Sequence, residues 1–147
     1  MRRSLVVLFL LSVCLIGSLY WFYGRAGTEL AAKKTVNVEE DDFVLHIHVE
    51  NDDSGFQVYR SLQYLGQGKV EITHRTPLIS VSFKQKNHDY TGSNVTEVLD
   101  NGRSYYPQGP VSFESPEQGT YKLYCETRFT VNGEKVRINL EETLAFQ

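Results

Sequence analysis

The C-terminal part of the chain alternates apolar and polar residues in two runs joined by an Asn-Gly pair. Apolar residues take nearly every second position over Tyr121–Val131 and again over Val136–Leu140, and Leu144 and Phe146 continue the phase. A side-chain period of two is that of a β-strand with one buried face. Asn132-Gly133 between the runs predicts a type I′ hairpin, because both central residues of that turn need φ > 0.

The same period recurs upstream and predicts a fold made of strands. Turn residues at 51–55, at 66–68 and at Thr76-Pro77 separate the alternating runs. The predicted strands cover residues 43–50, 56–64, 69–74, 78–84, 95–99 and 111–114. About seven short strands in one domain predict an all-β, antiparallel β-sandwich, with a small barrel as the alternative.

The N-terminus carries a different pattern. Ser4 to Tyr23 holds no charged residue, and a helix of that length spans roughly 30 Å, the hydrocarbon thickness of a bilayer. Aromatic residues close the run at 20–23, and Arg2 and Arg3 precede it, which favours a cytoplasmic N-terminus. We therefore predict one N-terminal transmembrane helix, a signal-anchor over 1–24 that contacts the membrane through residues 4–23. The predicted protein is a single-pass protein of the cell membrane with an extracytoplasmic C-terminal domain.

Two other interpretations of this segment also export the domain. Small residues in Gly24-Arg25-Ala26 suit cleavage of a signal peptide near Ala26, which would give a secreted protein. Cys14 lies in a string that loosely resembles a bacterial lipoprotein box, although Val13 stands where a small residue is usual.

Residues 25–42 predict a linker, and residues 43–147 predict the folded domain. The stretch 25–42 is rich in Gly, Ala, Thr and charged residues, shows little periodicity and ends in an acidic run at 39–42. Such a composition is typical of a solvated stalk. The remaining residues are enough for one domain with its own core.

Charge and cysteine content narrow the function classes. The net charge is −3 and the sequence shows no basic stripe, so we predict no nucleic-acid partner. Cys125 is the only cysteine outside the apolar run, which leaves no disulfide within the domain. It shares a strand face with Leu123 and Phe129, so we expect a buried, small apolar side chain.

The segment from Glu117 to Tyr121, with an acidic residue, a glycine and a tyrosine at alternate positions, resembles the stretch that leads into strand F of immunoglobulin-like domains. The resemblance implies that the Tyr121 hydroxyl bonds to backbone a few residues upstream, and that 120–131 and 134–146 form the F–G hairpin. Leu123 stands at the place of the second cysteine of that family, and no tryptophan lies outside the apolar run. The implied fold is an immunoglobulin-like or fibronectin-like sandwich, and the layout resembles small membrane-anchored envelope proteins.

The candidate metal ligands are His46 and His48, which lie two apart on one predicted strand and project from the same face. A metal needs further ligands, for which His74, His88 and Glu50 are the candidates, at no diagnostic spacing. We therefore weigh the pair mainly as a solvated strand face and predict no cofactor. The acidic cluster at 51–55 lacks the spacing of a calcium loop and is interpreted as a turn.

No catalytic motif is present, so we predict a protein that is not an enzyme. Glu141 and Glu142 point to opposite faces of a strand and are poorly placed for joint acid–base catalysis. The candidate binding residues are Tyr105 and Tyr106 in the loop 105–110, because paired tyrosines offer rigid, amphipathic contact area. The alternative is that one or both rings cover the edge of the core. Asn94-Val95-Thr96 is a glycosylation sequon, relevant in a eukaryotic secretory pathway.

The expected function is that of a membrane-tethered, extracytoplasmic module that binds an envelope protein through loops or an edge strand. The alternatives are an exported inhibitor or accessory subunit of an envelope enzyme, and a metal-binding protein or hydrolase that uses His46 and His48.

Overall fold

A computed structural model describes residues 12–19 and 27–147. Residues 12–19 form a helix, and the rest of the described chain forms strands, turns and loops. Within these two ranges no helix is long and apolar enough to cross a membrane. Most of the predicted signal-anchor over 1–24 lies outside the described residues, so the anchor stays a prediction.

The domain is a sandwich of two antiparallel sheets. The described residues form ten strands: β1 Lys34–Glu40, β2 Phe43–Asp52, β3 Gly55–Tyr64, β4 Lys69–Arg75, β5 Ile79–Phe83, β6 Asn94–Asp100, β7 Ser104–Tyr105, β8 Val111–Glu114, β9 Gly119–Val131 and β10 Glu134–Phe146. The first sheet has the order β1-β2-β3-β7, and β8 also pairs with β3. The second sheet has the order β10-β9-β4-β6, and β5 pairs with β9.

The alternating apolar residues meet between the sheets. Leu45, Phe56 and Leu62 of the first sheet and Ile72 and Leu123 of the second are fully buried. Aromatic rings also meet across the interface, with the Phe43 and Phe129 centroids 4.7 Å apart. The burial of these side chains is the main stabilising term of the fold, at about 1.5–3 kcal/mol for each large apolar residue.

The C-terminal hairpin forms as predicted. Val131 pairs with Glu134, and Asn132 and Gly133 have φ angles of 50° and 80°, as a two-residue type I′ turn requires. The tyrosine bond implied by the resemblance is also present, because the Tyr121 hydroxyl donates to the Glu117 carbonyl at 3.0 Å.

The chain before Phe43 differs from the prediction. Residues 34–40 form β1 and pair along their whole length with β2, and Leu30 is 4% exposed in the core. The prediction of a solvated linker is therefore wrong for this part of 25–42. It failed because an edge strand that buries only one side carries few apolar residues, here Val36 and Val38.

In each sheet one long strand, β9 or β3, pairs along the same edge with two short strands that are separated by a break. Along β9, Thr130 pairs with Thr73 of β4, and Thr127 pairs with Ile79 of β5, so 74–78 face only two residues and bulge around Pro77. Along β3, the partner strand is likewise split into β7 and β8, with 106–110 between them. The sequence predicted the break at Thr76-Pro77 but missed the two-residue strand β7.

Candidate functional site

Strand β5 has one edge that no strand of residues 27–147 covers. The Lys84 amide donates to the Lys122 carbonyl of β9 at 2.9 Å. Hydrogen-bonded and non-bonded residues alternate in an antiparallel ladder, so Val81 and Phe83 direct their backbone N–H and C=O groups away from β9. Within residues 27–147 the next strand of that sheet, β6, pairs only with β4 and leaves this edge open.

A groove of about 700 Å³ runs along this open edge. Strand β5 forms its base, the loop 84–91 forms the outer wall, and Arg60 and Phe113 of the first sheet form the inner wall. The loop is held against β5 because the Asn87 amide donates to Ser82 Oγ at 3.0 Å and His88 Nδ1 lies 3.1 Å from Ser80 Oγ. We call this depression the edge groove.

Arg60 is a charged residue on the face of β3 that points toward the core. On β3 it lies in phase with Phe56, Val58 and Leu62, all of which are 0% exposed. Its Nη1 donates to the Ile79 carbonyl of the opposite sheet at 2.9 Å, while its buried Nε has no hydrogen-bond partner among the described residues. Burial lowers the pKa of the Arg60 guanidinium, since the interior disfavours its charge.

The cations of the edge groove have no carboxylate partner within the described chain. Arg60 and Lys84 form no ion pair with any residue of 27–147. Lys84 Nζ instead lies 5.1 Å from the centroid of the Tyr121 ring. Of the described residues, Asp89 is the one acidic residue that lines the groove, and its Oδ1 accepts from the Thr91 amide. The groove is therefore positive in a protein whose net charge is −3.

Aromatic rings give the groove a rigid apolar side. Phe83 and Phe113 are both half-buried, with ring centroids 5.7 Å apart. Each also packs on the buried Phe56 ring, at 4.9 Å and 5.3 Å. Free backbone groups, apolar rings and unpaired cations thus line one slot, and this combination suits an extended peptide that carries an acidic group.

The two tyrosines predicted to bind lie elsewhere and have different surroundings. Tyr105 belongs to β7, is half-buried, and its hydroxyl lies 3.1 Å from His74 Nε2. Burial raises the pKa of Tyr105. Tyr106 is 69% exposed at the start of the break between β7 and β8. Tyr105 therefore connects the two sheets at the core edge, and Tyr106 remains a candidate contact residue on the surface.

The histidine pair projects from one face of β2, as predicted, and hydrogen bonds occupy its ring nitrogens. His46 contacts Asn37 Oδ1 at 2.7 Å and Gln63 Oε1 at 2.8 Å. His48 contacts Thr35 Oγ1 at 2.8 Å and Glu50 Oε2 at 3.2 Å.

The other proposed ligands do not complete a site. His74 bonds to Tyr105 and His88 bonds to Ser80, both away from β2. Within 12–19 and 27–147, no group of three or more His, Cys, Asp or Glu residues lies close enough to hold a metal ion.

The remaining predicted features are structural in the described chain. Cys125 is 1% exposed, as expected, and burial raises the pKa of its thiol to about 12 against the opposing charge of Arg60. Glu141 and Glu142 point apart, as predicted, toward Lys122 and Lys34 respectively. In the acidic turn, the Asn51 side chain bonds to both backbone groups of Leu30.

Sequence reasoning missed Arg60 and the edge groove. A signal for Arg60 was available, since it is the one charged residue in the apolar phase of β3. The groove itself has no local signal, because it depends on where β6 stops pairing and on how the loop 84–91 folds back over β5.

Comparisons with known proteins do not assign a family. No protein-family model matches the chain, and no curated protein matches it. A solved structure to which it is similar is the GAE domain of GGA2p from Saccharomyces cerevisiae, with a TM-score of 0.37 and 10% identity over 76% of this chain and 96% of that chain. Similarity at this level supports neither a family nor a function.

Proposed function

We propose that this protein is a non-catalytic, immunoglobulin-like interaction module that binds an extended segment of a partner protein in the edge groove. The predicted signal-anchor over 1–24 would hold it at the cell membrane with the sandwich outside, beside an envelope protein as partner. The observation that carries the proposal is the unpaired edge of β5 at the base of a positive, aromatic-lined groove.

Strand addition is the binding mode that fits an open strand edge. A peptide that lies antiparallel or parallel to β5 would pair with the backbone groups of Val81 and Phe83, and alternate side chains would face the groove walls. Strand β5 is five residues long, which matches a peptide segment of roughly 17 Å. Phe83 and Phe113 would contact an apolar side chain of that segment.

The positive charge of the edge groove favours a peptide segment that carries an acidic residue. Arg60 and Lys84 lack carboxylate partners in the described chain, so an acidic residue in the bound segment would form charge-assisted hydrogen bonds in a partly desolvated site. We therefore expect a β-forming peptide with one or two Asp or Glu residues to bind better than its Asn or Gln counterpart.

Peptide selection tests this proposal with a defined probe. A displayed library of random seven-residue segments is selected on immobilised full-length protein. We expect enrichment of β-branched and aromatic residues with an acidic position, and at least tenfold weaker binding of the selected peptide to Arg60→Met. Lys69→Met is the matched control, because it removes a cation of the second sheet that pairs with Asp100, outside the groove.

N-methylation of the selected peptide tests the backbone pairing without altering the fold of the protein. Strand addition predicts that methyl groups on alternate amides abolish binding, while methyl groups on the amides between them leave it within about threefold. Equal tolerance at all amides, no enriched peptide, or equal binding by Arg60→Met and wild type would each overturn the proposal.

The alternative function, an inhibitor or accessory subunit of an envelope enzyme, would use the same groove. It predicts in addition that binding changes the catalytic rate of that enzyme. Nothing in the described chain favours the metal-binding alternative, because the imidazoles of His46 and His48 are committed to hydrogen bonds.

A further inference from the structure

A second depression, on the outer face of the second sheet, gathers cations from three strands. It has a volume of about 470 Å³. The positively charged residues that line it are Arg75 of β4, Arg128 of β9, and Lys135 and Arg137 of β10. They come from distant parts of the chain, which is why the sequence shows no basic stripe. We call this depression the basic cleft.

The register of the sheet brings two of these residues side by side, and a third comes from the end of β4. Arg128 and Arg137 are direct partners in the β9–β10 ladder. Arg75 follows the last residue of β4 that pairs with β9, Thr73, whose partner is Thr130. Arg75 lies just beyond the end of that pairing and lines the same depression as Arg128 and Arg137.

One carboxylate lies among these cations. Arg128 Nε is 2.6 Å from Glu126 Oε1, and Arg137 Nε is 3.8 Å from Glu126 Oε2. The Tyr90 hydroxyl also donates to Glu126 Oε1, at 3.1 Å. Although burial alone raises the pKa of Glu126, the hydrogen bonds from Arg128 and Tyr90 hold it below its usual value, so the group is ionised at neutral pH.

Glu126 leaves most of the charge of the cleft uncompensated. Four cations face one carboxylate whose side chain is 4% exposed. Like charges directly opposite in a ladder are destabilising by themselves. Arg75 donates Nε only to the Gly92 carbonyl, at 3.3 Å, and Lys135 forms no ion pair within residues 27–147.

The donors suit tetrahedral oxyanions. Guanidinium groups donate in a planar fork that matches phosphate oxygens, and a lysine adds a mobile charge. Thr73 and Thr130 line the same cleft and add hydroxyl donors beside the arginines. A ligand with several closely spaced phosphate groups would offset the repulsion between Arg128 and Arg137, and could reach Arg75 and Lys135 at the same time.

We propose that the basic cleft binds a ligand that carries two or more phosphate groups in succession. The site is independent of the edge groove, since no lining residue is shared. Binding is non-covalent, and the ligand is held through Arg75, Arg128, Lys135 and Arg137.

Titration with tripolyphosphate tests the proposal on the full-length protein. We expect saturable binding to wild type and at least tenfold weaker binding to the double variant Lys135→Gln/Arg137→Gln. The matched control is Lys122→Gln/Arg103→Gln, which removes the same two types of charge from outside the cleft, where they pair with Glu141 and Glu97. This control should bind within about twofold of wild type.

Two further probes define the ligand class. Citrate at equal ionic strength tests whether the cleft distinguishes phosphate groups from carboxylate groups. ATP tests whether a nucleoside strengthens the binding of a triphosphate. Tighter binding of ATP than of tripolyphosphate would assign the ligand to nucleotides, and equal binding would assign it to phosphate chains; both support the proposal. No saturable binding, equal binding of citrate, or equal weakening in the two double variants would overturn it.

Discussion

The two flanks of the sandwich close in different ways. At the β1/β10 flank, residues 29–31 bond to residues 145–147 along the edge of β10, and the chain then crosses to the first sheet as β1. A continuous segment thus joins both sheets, and the Lys34–Glu142 ion pair lies beside it. At the opposite flank no such crossing covers β5 within residues 27–147, and a groove remains.

Strand edges at the two flanks have different surroundings. An unpaired edge is a site for strand addition, and proteins cover or charge most of their edges. Here residues 29–31 pair with the end of the β10 edge at one flank, while the other flank exposes backbone groups of β5 between apolar rings and unpaired cations. We infer that the closed flank serves stability and that the open flank serves binding.

Truncation of one aliphatic residue on each flank should give the largest contrast. Leu30→Ala removes a side chain that is 4% exposed beneath the closed flank, so we expect the free energy of unfolding to fall by about 2–4 kcal/mol. Val81→Ala on the open flank removes a half-buried side chain, and we expect a loss of no more than about 1 kcal/mol. Equilibrium unfolding in urea measures both values. Equal losses would contradict the division of roles between the flanks.

Alkaline pH should destabilise the protein through a thiol behind the open flank. Cys125 pairs with Val81, and its folded pKa of about 12 exceeds the unfolded value of about 9. Above pH 9 the unfolded chain releases this proton and the folded chain keeps it, so stability falls as the pH rises from 9 toward 12.

The measurement is the unfolding midpoint between pH 8 and 11 for wild type and Cys125→Ala. We expect a steeper alkaline decline in the wild type, while the raised pKa of the half-buried Tyr90 leaves a residual slope in both. Parallel declines in the two proteins would show that Cys125 does not contribute. Thiol labelling at pH 8 provides a check, since Cys125 should react only when the protein unfolds.

Much of this fold could be predicted from the sequence, because its signals are local. The period of two located seven of the eight strands longer than four residues, and Asn132-Gly133 fixed the hairpin and its register. The segment from residue 29 through β1, which joins the two sheets at one flank, was not predicted. Strand β1 buries only one side, and its pairing with β2 depends on the rest of the fold.

The candidate sites depend on which strands become neighbours. Arg60 could have been noticed as a charge in an apolar phase, but its bond to Ile79 requires the packing of the two sheets. The basic cleft joins Arg75 to Arg128 and Arg137, which no sequence window contains. The sequence left a position at the core edge open as the alternative for Tyr105, but its bond to His74 across the sandwich could not be anticipated.

Amide hydrogen exchange along β5 tests the central claim most directly. In the free protein, Ser80, Ser82 and Lys84 direct their amides to β9, whereas Val81 and Phe83 direct theirs into the groove. We therefore expect the amides of Val81 and Phe83 to exchange at least tenfold faster than those of Ser80 and Ser82, and to become protected when a selected peptide binds. Uniform protection along β5 in the free protein, or no gain of protection at Val81 and Phe83 in the complex, would contradict the account.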